Sequence, residues 1–317
     1  GTGLQEFTCQ VHNAGFGVSH AIGTGSHDIS DDIGGMTTFT ALETFEADPH
    51  TKTVVFISKP PGVKTLHRLV ERLEDYKKPV IGCFLGSQLE KRINNPCLHF
   101  VNTIDEAVTM AIQSISGKSG DLPIKLSPEE LEWVAAERAG WSPDQIYLRA
   151  LFAGGTFCYQ THQIFLAEGM AIHSNTPLDP RYKLTHPDQS IDHTVVDMGD
   201  DYYTLGKPHP MIDGTLRRLR ILSEGHDPQL AILLLDFILG YNASMDPVGE
   251  LLDAIQDASQ TARRRGGVLT VVASICGTEG DPQDLNLQTR MLEEAGVRVF
   301  RSNARATYFC SQLLKQR

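Results

Sequence analysis

The chain has 317 residues, 41% apolar and 21% charged, an ordinary globular composition with length for about two domains. Its formal net charge of -11, with 28 Lys and Arg against 39 Asp and Glu, argues against a nucleic-acid binder, whose affinity rests on clustered cations, and leaves small metabolites as the partners to expect. No apolar run reaches the roughly 18 residues that would cross a membrane; the longest, Leu230 to Leu239, is interrupted by Asp236, so a soluble protein with no membrane partner is expected.

The chain opens on Gly1 without a methionine, inside what reads as a glycine turn, and residues upstream are expected to be missing. Gly1-Thr2-Gly3 enters a helix-like run through Cys9, followed by a Gly-rich acidic loop from Ile22 to Gly35 that carries Asp28, Asp31 and Asp32. Asp48-Pro49 punctuates the chain before a strand from Thr53 to Ser58. Helical spacing of apolar residues predicts a helix over Leu66 to Tyr76, a second buried run spans Pro79 to Gly86, and a helix over Asp105 to Ile115 closes the first half.

Ser116 to Glu130 is rich in Gly, Ser, Pro and charge and reads as a linker. Within it Ser127 and Pro128 supply the cap and first turn of a helix, and Ser142-Pro143-Asp144 reads as the restart of a helix leading into a second glycine turn, Gly154-Gly155-Thr156. A polar insertion from Gly169 to His193, either an ordered loop or a lid, has no counterpart in the first half. The acidic glycine loop recurs as Val196 to Asp213, the Asp-Pro step as Asp227-Pro228, and the two apolar runs as Leu230 to Gly240 and Val268 to Gly277. Helices are predicted over Leu252 to Arg264 and, closing the half, over Leu285 to Ala295.

The second half thus repeats the first, with Gly1, Thr2 and Glu6 answering to Gly155, Thr156 and Gln160. Strands alternating with amphipathic helices predict an α/β fold with parallel sheets, and a repeat of domain length predicts internal duplication with a site between similar halves. The expected domains are 1–118, a linker and helix over 119–145, and 146–317 with its insertion at 169–193. Six cysteines, Cys9, Cys83, Cys97, Cys158, Cys276 and Cys310, form no CxxC pair and read as reduced thiols of a cytoplasmic protein.

A glycine turn entering a helix aims unpaired N–H groups outward with the helix dipole behind them, which suits a phosphate or carboxylate. Gly1, Thr2 and Gly3, and Gly154, Gly155 and Thr156, are therefore candidate anion-binding residues; the competing reading is a turn needed only for packing. His193, Asp197, Asp200, Asp201, His209 and Asp213 form a second constellation, able to bind Mg²⁺ through carboxylates or to act as acid and base, against a reading as hydrogen-bonded turns. Gly277 and Thr278, in the loop after the last apolar run, are candidate ligand contacts, whereas Cys276 reads as a small buried residue rather than a nucleophile. The remaining histidines show no zinc-ligand spacing, and no metal centre is expected.

These units resemble the ligase domains of the succinyl-CoA synthetase (NDP-forming acyl-CoA synthetase) superfamily, and more closely the FdrA proteins within it. Gly1, Thr2 and Glu6 look like the tail of that superfamily's Ser-Gly-Thr-x-x-x-Glu phosphate loop, Gly23 to Ile29 resembles its second glycine loop and Glu46 to Ile57 its Asp-Pro strand entry. AGGT at Ala153 to Thr156, VVDMGDDYYTLGKPHPMID at Val195 to Asp213 and LLLDFILGYNASMDP at Leu233 to Pro247 look like FdrA signatures. The resemblance implies two flavodoxin-like ligase domains, phosphate held at helix N-termini, and an upstream CoA-binding domain. The superfamily's phosphohistidine loop is replaced by SQLEKRINN at Ser87 to Asn95, and its supporting glutamate is absent from Ser58-Lys59-Pro60-Pro61-Gly62. The implied activity is that of a carbamoyltransferase subunit of ureide (allantoin) breakdown, which converts oxalurate and phosphate to oxamate and carbamoyl phosphate, phosphate being the co-substrate and Mg²⁺ a candidate cofactor. By that resemblance His209 would act as acid or base, with Asp197, Asp200 and Asp213 orienting it or a metal, and other subunits of a carbamoyltransferase complex would be partners. The alternatives are an acid–thiol ligase using ATP and CoA, and a non-catalytic phosphate-binding partner subunit.

Overall fold

The apolar runs become the strands of two parallel sheets, one in each of the units Gly1–Pro123 and Ile124–Arg317. The computed structural model describes residues 1–25, 27–86, 95–117 and 124–315. The expected loop at Ser87 to Asn95, all but its last residue, and residues 118–123 of the expected linker lie outside the described residues, as does Ser26.

The first unit runs α1 (Thr2–Asn13), α2 (Met36–Ala47), β1 (Val54–Ser58), α3 (Val63–Glu74), β2 (Val80–Phe84), β3 (Leu98–Val101) and α4 (Ile104–Ser116). Its strands lie in the order β1-β2-β3, with Val54, Val80 and Leu98 in register. Leu42 of α2 and Leu69 and Leu73 of α3 share a core with Val54, Val80 and Leu98, while α1 packs on α4. The Thr103 hydroxyl accepts the Glu106 N–H at 3.2 Å and so starts α4.

The second unit runs α5 (Pro128–Ala139), β4 (Tyr147–Phe152), α6 (Gly155–Ala167), β5 (His173–Ser174), β6 (Thr194–Asp197), α7 (Asp201–Thr204), α8 (Thr215–Glu224), β7 (Leu230–Ile238), α9 (Gly249–Arg264), β8 (Thr270–Cys276), α10 (Leu285–Glu294), β9 (Arg298–Phe300) and α11 (Asn303–Lys315). Its six parallel strands lie in the order β5-β6-β4-β7-β8-β9. Alternation along β7 turns Leu233, Leu235 and Phe237 to one face, where they join Ile221 of α8, Leu251 and Ile255 of α9 and Leu292 of α10 in one core. Each fully buried leucine there contributes roughly 1.5–3 kcal/mol. On the other face α6 packs on α11, which covers β7, β8 and β9. A capping box between Ser127 and Glu130, with Pro128 in the first turn, starts α5 where the sequence places it.

The duplication is legible in topology. The succession α1, α2, β1, α3, β2, β3, α4 returns as α6, α8, β7, α9, β8, β9, α11, and the sheet order β1-β2-β3 returns as β7-β8-β9. Two elements differ from expectation. The helix expected to restart at Ser142 is instead a turn, closed by Gln145 N–H on the Ser142 carbonyl at 3.1 Å, and leads into β4. The reason is burial: Leu148 to Phe152 lie between β6 and β7 with both faces covered, which favours a continuous strand. The second half closes with α11 rather than with the helix over Leu285 to Ala295, because α10 is the crossover that joins the parallel strands β8 and β9 and α11 follows β9. The insertion is ordered: β5 adds an edge strand to β6, and a 3-10 turn at Pro180–Tyr182 follows.

Candidate functional site at the switch point of the second unit

The chain leaves β4 through α6 to β5 and β6 on one side, then crosses through α8 to β7 on the other. Strand β4 therefore marks a topological switch point, and ligands of open α/β sheets bind outside the carboxyl ends of the strands there. At that edge Gly154 is the N-cap of α6, extended at φ -152° and ψ 138°, with no side-chain cap. Gly155 and Thr156 follow in the first turn, whose N–H groups have no intrahelical acceptor and stand at the positive end of the dipole. All three residues are half-buried.

Asp197 ends β6 beside this turn. Its backbone is bracketed by the Asn175 side chain, which donates to the Asp197 carbonyl and accepts the Asp197 N–H, both at 2.9 Å. Its carboxyl is buried and accepts the Gly199 N–H at 2.9 Å. Burial pushes the Asp197 carboxyl up to about 7; the Gly199 N–H opposes the shift, and the charges of Asp200 and Asp236 add to it.

His209 reaches the same place from the loop before α8. Its Nδ1 accepts the Met211 N–H at 3.2 Å, so the neutral ring carries its proton on Nε2. Burial, and then the charge of Arg217, hold the imidazole below its usual range and therefore neutral near pH 7. A Cβ on Gly199 would stand 2.6 Å from the Ala153 carbonyl oxygen, 2.8 Å from His209 Nε2 and 3.2 Å from Asp197 Oδ1. Three polar groups thus close over one glycine, and a side chain there would displace them.

Other expected site residues stand elsewhere. Asp200 caps α7 through the Tyr202 N–H at 3.0 Å, and Asp201 is the exposed first residue of that helix. Asp213 is exposed and accepts the Thr215 N–H at 2.8 Å at the start of α8; it makes no hydrogen bond to His209 through its carboxylate. His193, placed in the same constellation by its proximity in sequence, lies at the opposite edge of the sheet. It precedes β6, its Nδ1 accepts the Leu148 N–H at 3.2 Å, and burial pushes it down to about 4. Gly277 packs against Leu239, and the Thr278 N–H is closed onto Asp281 Oδ2 at 2.7 Å. Cys276 is buried, and none of the six cysteines is in a disulfide.

In the first unit, Gly1 is the N-cap of α1, and Thr2 and Gly3 are buried in its first turn. The Thr2 hydroxyl oxygen is buried without a hydrogen-bond partner among the described residues. The acidic loop of this unit is a set of helix caps: Asp28 accepts the Thr37 and Thr38 N–H groups at 2.9 and 3.0 Å to start α2, and Asp31 accepts the Thr65 N–H at 3.0 Å to start α3.

Three residues of the switch point were not singled out from sequence as site residues: Asn175, Arg217 and Asp236. Asp236 is wholly buried and accepts the Ala153 N–H on both oxygens, at 2.9 and 3.0 Å, while Arg217 donates to it at 2.8 Å. The available signal was a carboxylate inside an otherwise apolar run. Among the described residues no group of three or more His, Cys, Asp or Glu side chains is placed to hold a metal ion. The assembled chemistry is a set of helix amides suited to an anion, a carboxyl that titrates near neutrality, and a neutral imidazole.

Residues 151–312, just over half of the chain, match the model of the CoA-ligase family. Over 297 residues the chain is 38% identical to the uncharacterized protein YahF of Escherichia coli (strain K12), covering 94% of this chain and 57% of that relative. Two solved structures are similar at lower identity. One is the dinucleotide forming acetyl-coenzyme A synthetase 1 of Ca. Korarchaeum cryptofilum, in complex with phosphate and ADP (16% identity, TM-score 0.39, 87% of this chain and 55% of that chain). The other is PH0766 from Pyrococcus horikoshii OT3 (13% identity, TM-score 0.37, 87% of this chain and 55% of that chain). The chain therefore spans a little over half the length of the proteins it matches. No helix among the described residues is long and apolar enough to cross a membrane.

Proposed function

The chain belongs to the CoA-ligase family, and from that premise we propose that it acts, within an acyl-CoA synthetase-like protein of FdrA type, in carbamoyl transfer between oxalurate and phosphate. One observation carries the reading: Asp197 and His209 converge on the Gly199 backbone beside the first amides of α6. Phosphate would sit on the Gly155 and Thr156 N–H groups, oriented by the helix dipole. One of its oxygens attacks the terminal ureido carbonyl carbon of oxalurate, the bond from that carbon to the inner nitrogen breaks, and oxamate leaves with the electron pair. The phosphate loses a proton and the departing nitrogen gains one. A carboxyl that titrates near neutrality is suited to accept the first, and a neutral imidazole with its proton on Nε2 is suited to deliver the second. Amide donors would stabilise the oxyanion that develops between them. The absence of histidine from Ser87 to Asn95 supports a direct transfer over one through a phosphohistidine of that loop.

The test is formation of carbamoyl phosphate from oxalurate and phosphate by the full-length protein with any companion subunits, compared with His209→Ala. General acid–base groups contribute about 10²–10⁴-fold in rate, so a loss in that range is expected. An equally active variant would remove His209, and no product from the complete assembly would remove the reading. Family membership favours one other reading, acid–thiol ligation with ATP and CoA, in which acid-labile phosphate would be incorporated into the protein.

A further inference from the structure

Beneath the α6 turn lies a buried ion pair whose charges bear on His209 and Asp197 but whose own side chains take no part in the proposed proton transfers. Arg217 rises from α8 and Asp236 sits near the end of β7; both are buried, Asp236 completely. Arg217 Nη2 donates to Asp236 Oδ1 at 2.8 Å, to the Asp236 carbonyl at 2.7 Å and to the Leu151 carbonyl at 3.1 Å. The guanidinium lies 5.7 Å from the centre of the Phe237 ring. Burying both charges is costly, and replacing such a pair by apolar groups is often neutral or stabilising, so stability alone does not account for it.

What the pair does is visible in the ladder it interrupts. Strands β4 and β7 stay in register through Leu151 and Leu235. Beyond that point the Ala153 N–H turns to the two Asp236 carboxylate oxygens instead of to a β7 carbonyl. The Phe152 carbonyl is taken by the Met198 N–H of the neighbouring segment at 2.8 Å, and Gly154, the residue after Ala153, is the N-cap of α6. One side chain therefore decides where β4 stops and the glycine turn starts.

We infer that Asp236 and Arg217 are positioning residues: the carboxylate, anchored by the guanidinium, holds the Phe152–Ala153 peptide, one residue before Gly154, so that the first amides of α6 face outward from the sheet edge. The inference rests on the reading of that turn as a phosphate site, but its central readout is structural. The pair touches no substrate; it acts through the Ala153 N–H.

The experiment compares wild type, D236N and the double variant D236L/R217M in the full chain, with amide hydrogen exchange at Ala153, the amide resonances of Gly155 and Thr156, and binding of inorganic phosphate. The double variant removes both charges together and is expected to melt close to wild type. Its Ala153 amide should nevertheless exchange about tenfold faster or more, and phosphate should bind about tenfold more weakly, a factor on the order of one lost net hydrogen bond. D236N keeps one oxygen for the Ala153 N–H and should retain most of the wild-type protection. If that double variant does not fold, D236A/R217M, which also removes both charges and puts less bulk at residue 236, gives the same comparison. Unchanged exchange at Ala153 with unshifted Gly155 and Thr156 resonances would overturn the inference. Failure of the wild type to make carbamoyl phosphate would sink the proposed activity instead, because the amide readout needs no turnover.

Discussion

Asp197 closes on the backbone of Gly155: a Cβ at residue 155 would stand 2.5 Å from Asp197 Oδ2. The first turn of α6 and the carboxyl at the end of β6 therefore share one space, and glycine is what lets them do so. Gly155→Ala is expected to push the carboxyl aside at a cost of about 1–3 kcal/mol, the usual range for overpacking a fitted site. Thermal unfolding checks the stability loss. Phosphate affinity should fall with it, and Gly169→Ala, which has open space but sits at φ +76° on the far end of the helix, should lower stability without touching phosphate binding.

The Asp197 carboxyl gives a pH dependence whose sign is fixed. Burial raises it from the ordinary carboxylate range to about 7, so the native state holds a proton there that the unfolded chain has already released. That contribution to stability is present in full below the unfolded value near 4 and is lost as pH rises through about 7. Asp197→Asn should remove it, so the variant should gain on wild type between pH 4 and 8, by an amount on the order of a few kcal/mol. Denaturant titrations across that range measure the difference. In activity the same group should give wild type a limb with a midpoint near 7 that the variant lacks.

Much of this architecture is legible in the chain because its signals are local. Ser127, Pro128 and Glu130 announce α5, and the apolar runs around Val54, Val80, Leu233 and Val272 announce the central strands. The turns at Gly1 and Gly154 fall at helix starts, as their sequence suggests. What was hidden depends on partners distant in sequence. Strand β4 carries Arg149 in its middle, which masks a buried strand until Glu224 and Asp227 are seen to hold the charge. Asp28, Asp31, Asp200 and Asp213 look alike in sequence to Asp197, yet each of the four bonds a helix-start N–H, and only Asp197 is both buried and beside the α6 turn.

The charges at the other edge of the sheet predict a large stability effect away from the site. Glu224 is buried and accepts Arg149 Nε at 3.1 Å, Arg220 Nε at 2.7 Å and the Ser190 hydroxyl at 2.5 Å. Arg220 also donates to the Pro187 carbonyl at 2.9 Å, so the same cluster ties down the end of the insertion. Glu224→Gln keeps the shape but takes away the buried carboxylate that two guanidinium groups share, leaving Arg149 with Asp227 at 2.8 Å and Arg220 with the half-exposed Asp188 at 3.7 Å. A loss of about 3–5 kcal/mol is expected, with faster proteolysis in the 183–193 segment. Because Arg149, Arg220 and Glu224 are buried, added salt should change this loss little. The exposed Arg218–Asp253 pair is the control, and removing it should leave the melting curve in place.

Gly277 was a candidate ligand contact, and the fold offers a packing account that makes a separable prediction. A Cβ there would meet Leu239 Cδ1 at 2.9 Å and its Cβ and Cγ at 3.0 Å, whereas at Gly280 the nearest atom, Thr278 Oγ1, is 3.6 Å away. Gly277 follows β8, Leu239 follows β7, and the Leu239 N–H donates to the Cys276 carbonyl at 2.9 Å, so neither backbone can withdraw without breaking the ladder. Gly277→Ala should therefore cost about 1–3 kcal/mol, and Gly280→Ala should cost much less. The two mutations G277A and L239A should also couple, since shortening Leu239 removes Cγ and Cδ1, two of the three atoms the new methyl would strike. A double-mutant cycle read by urea unfolding would then show a favourable interaction of about 0.5 kcal/mol or more. If G277A instead left stability intact and lowered only substrate affinity, the glycine would belong to the ligand and not to Leu239.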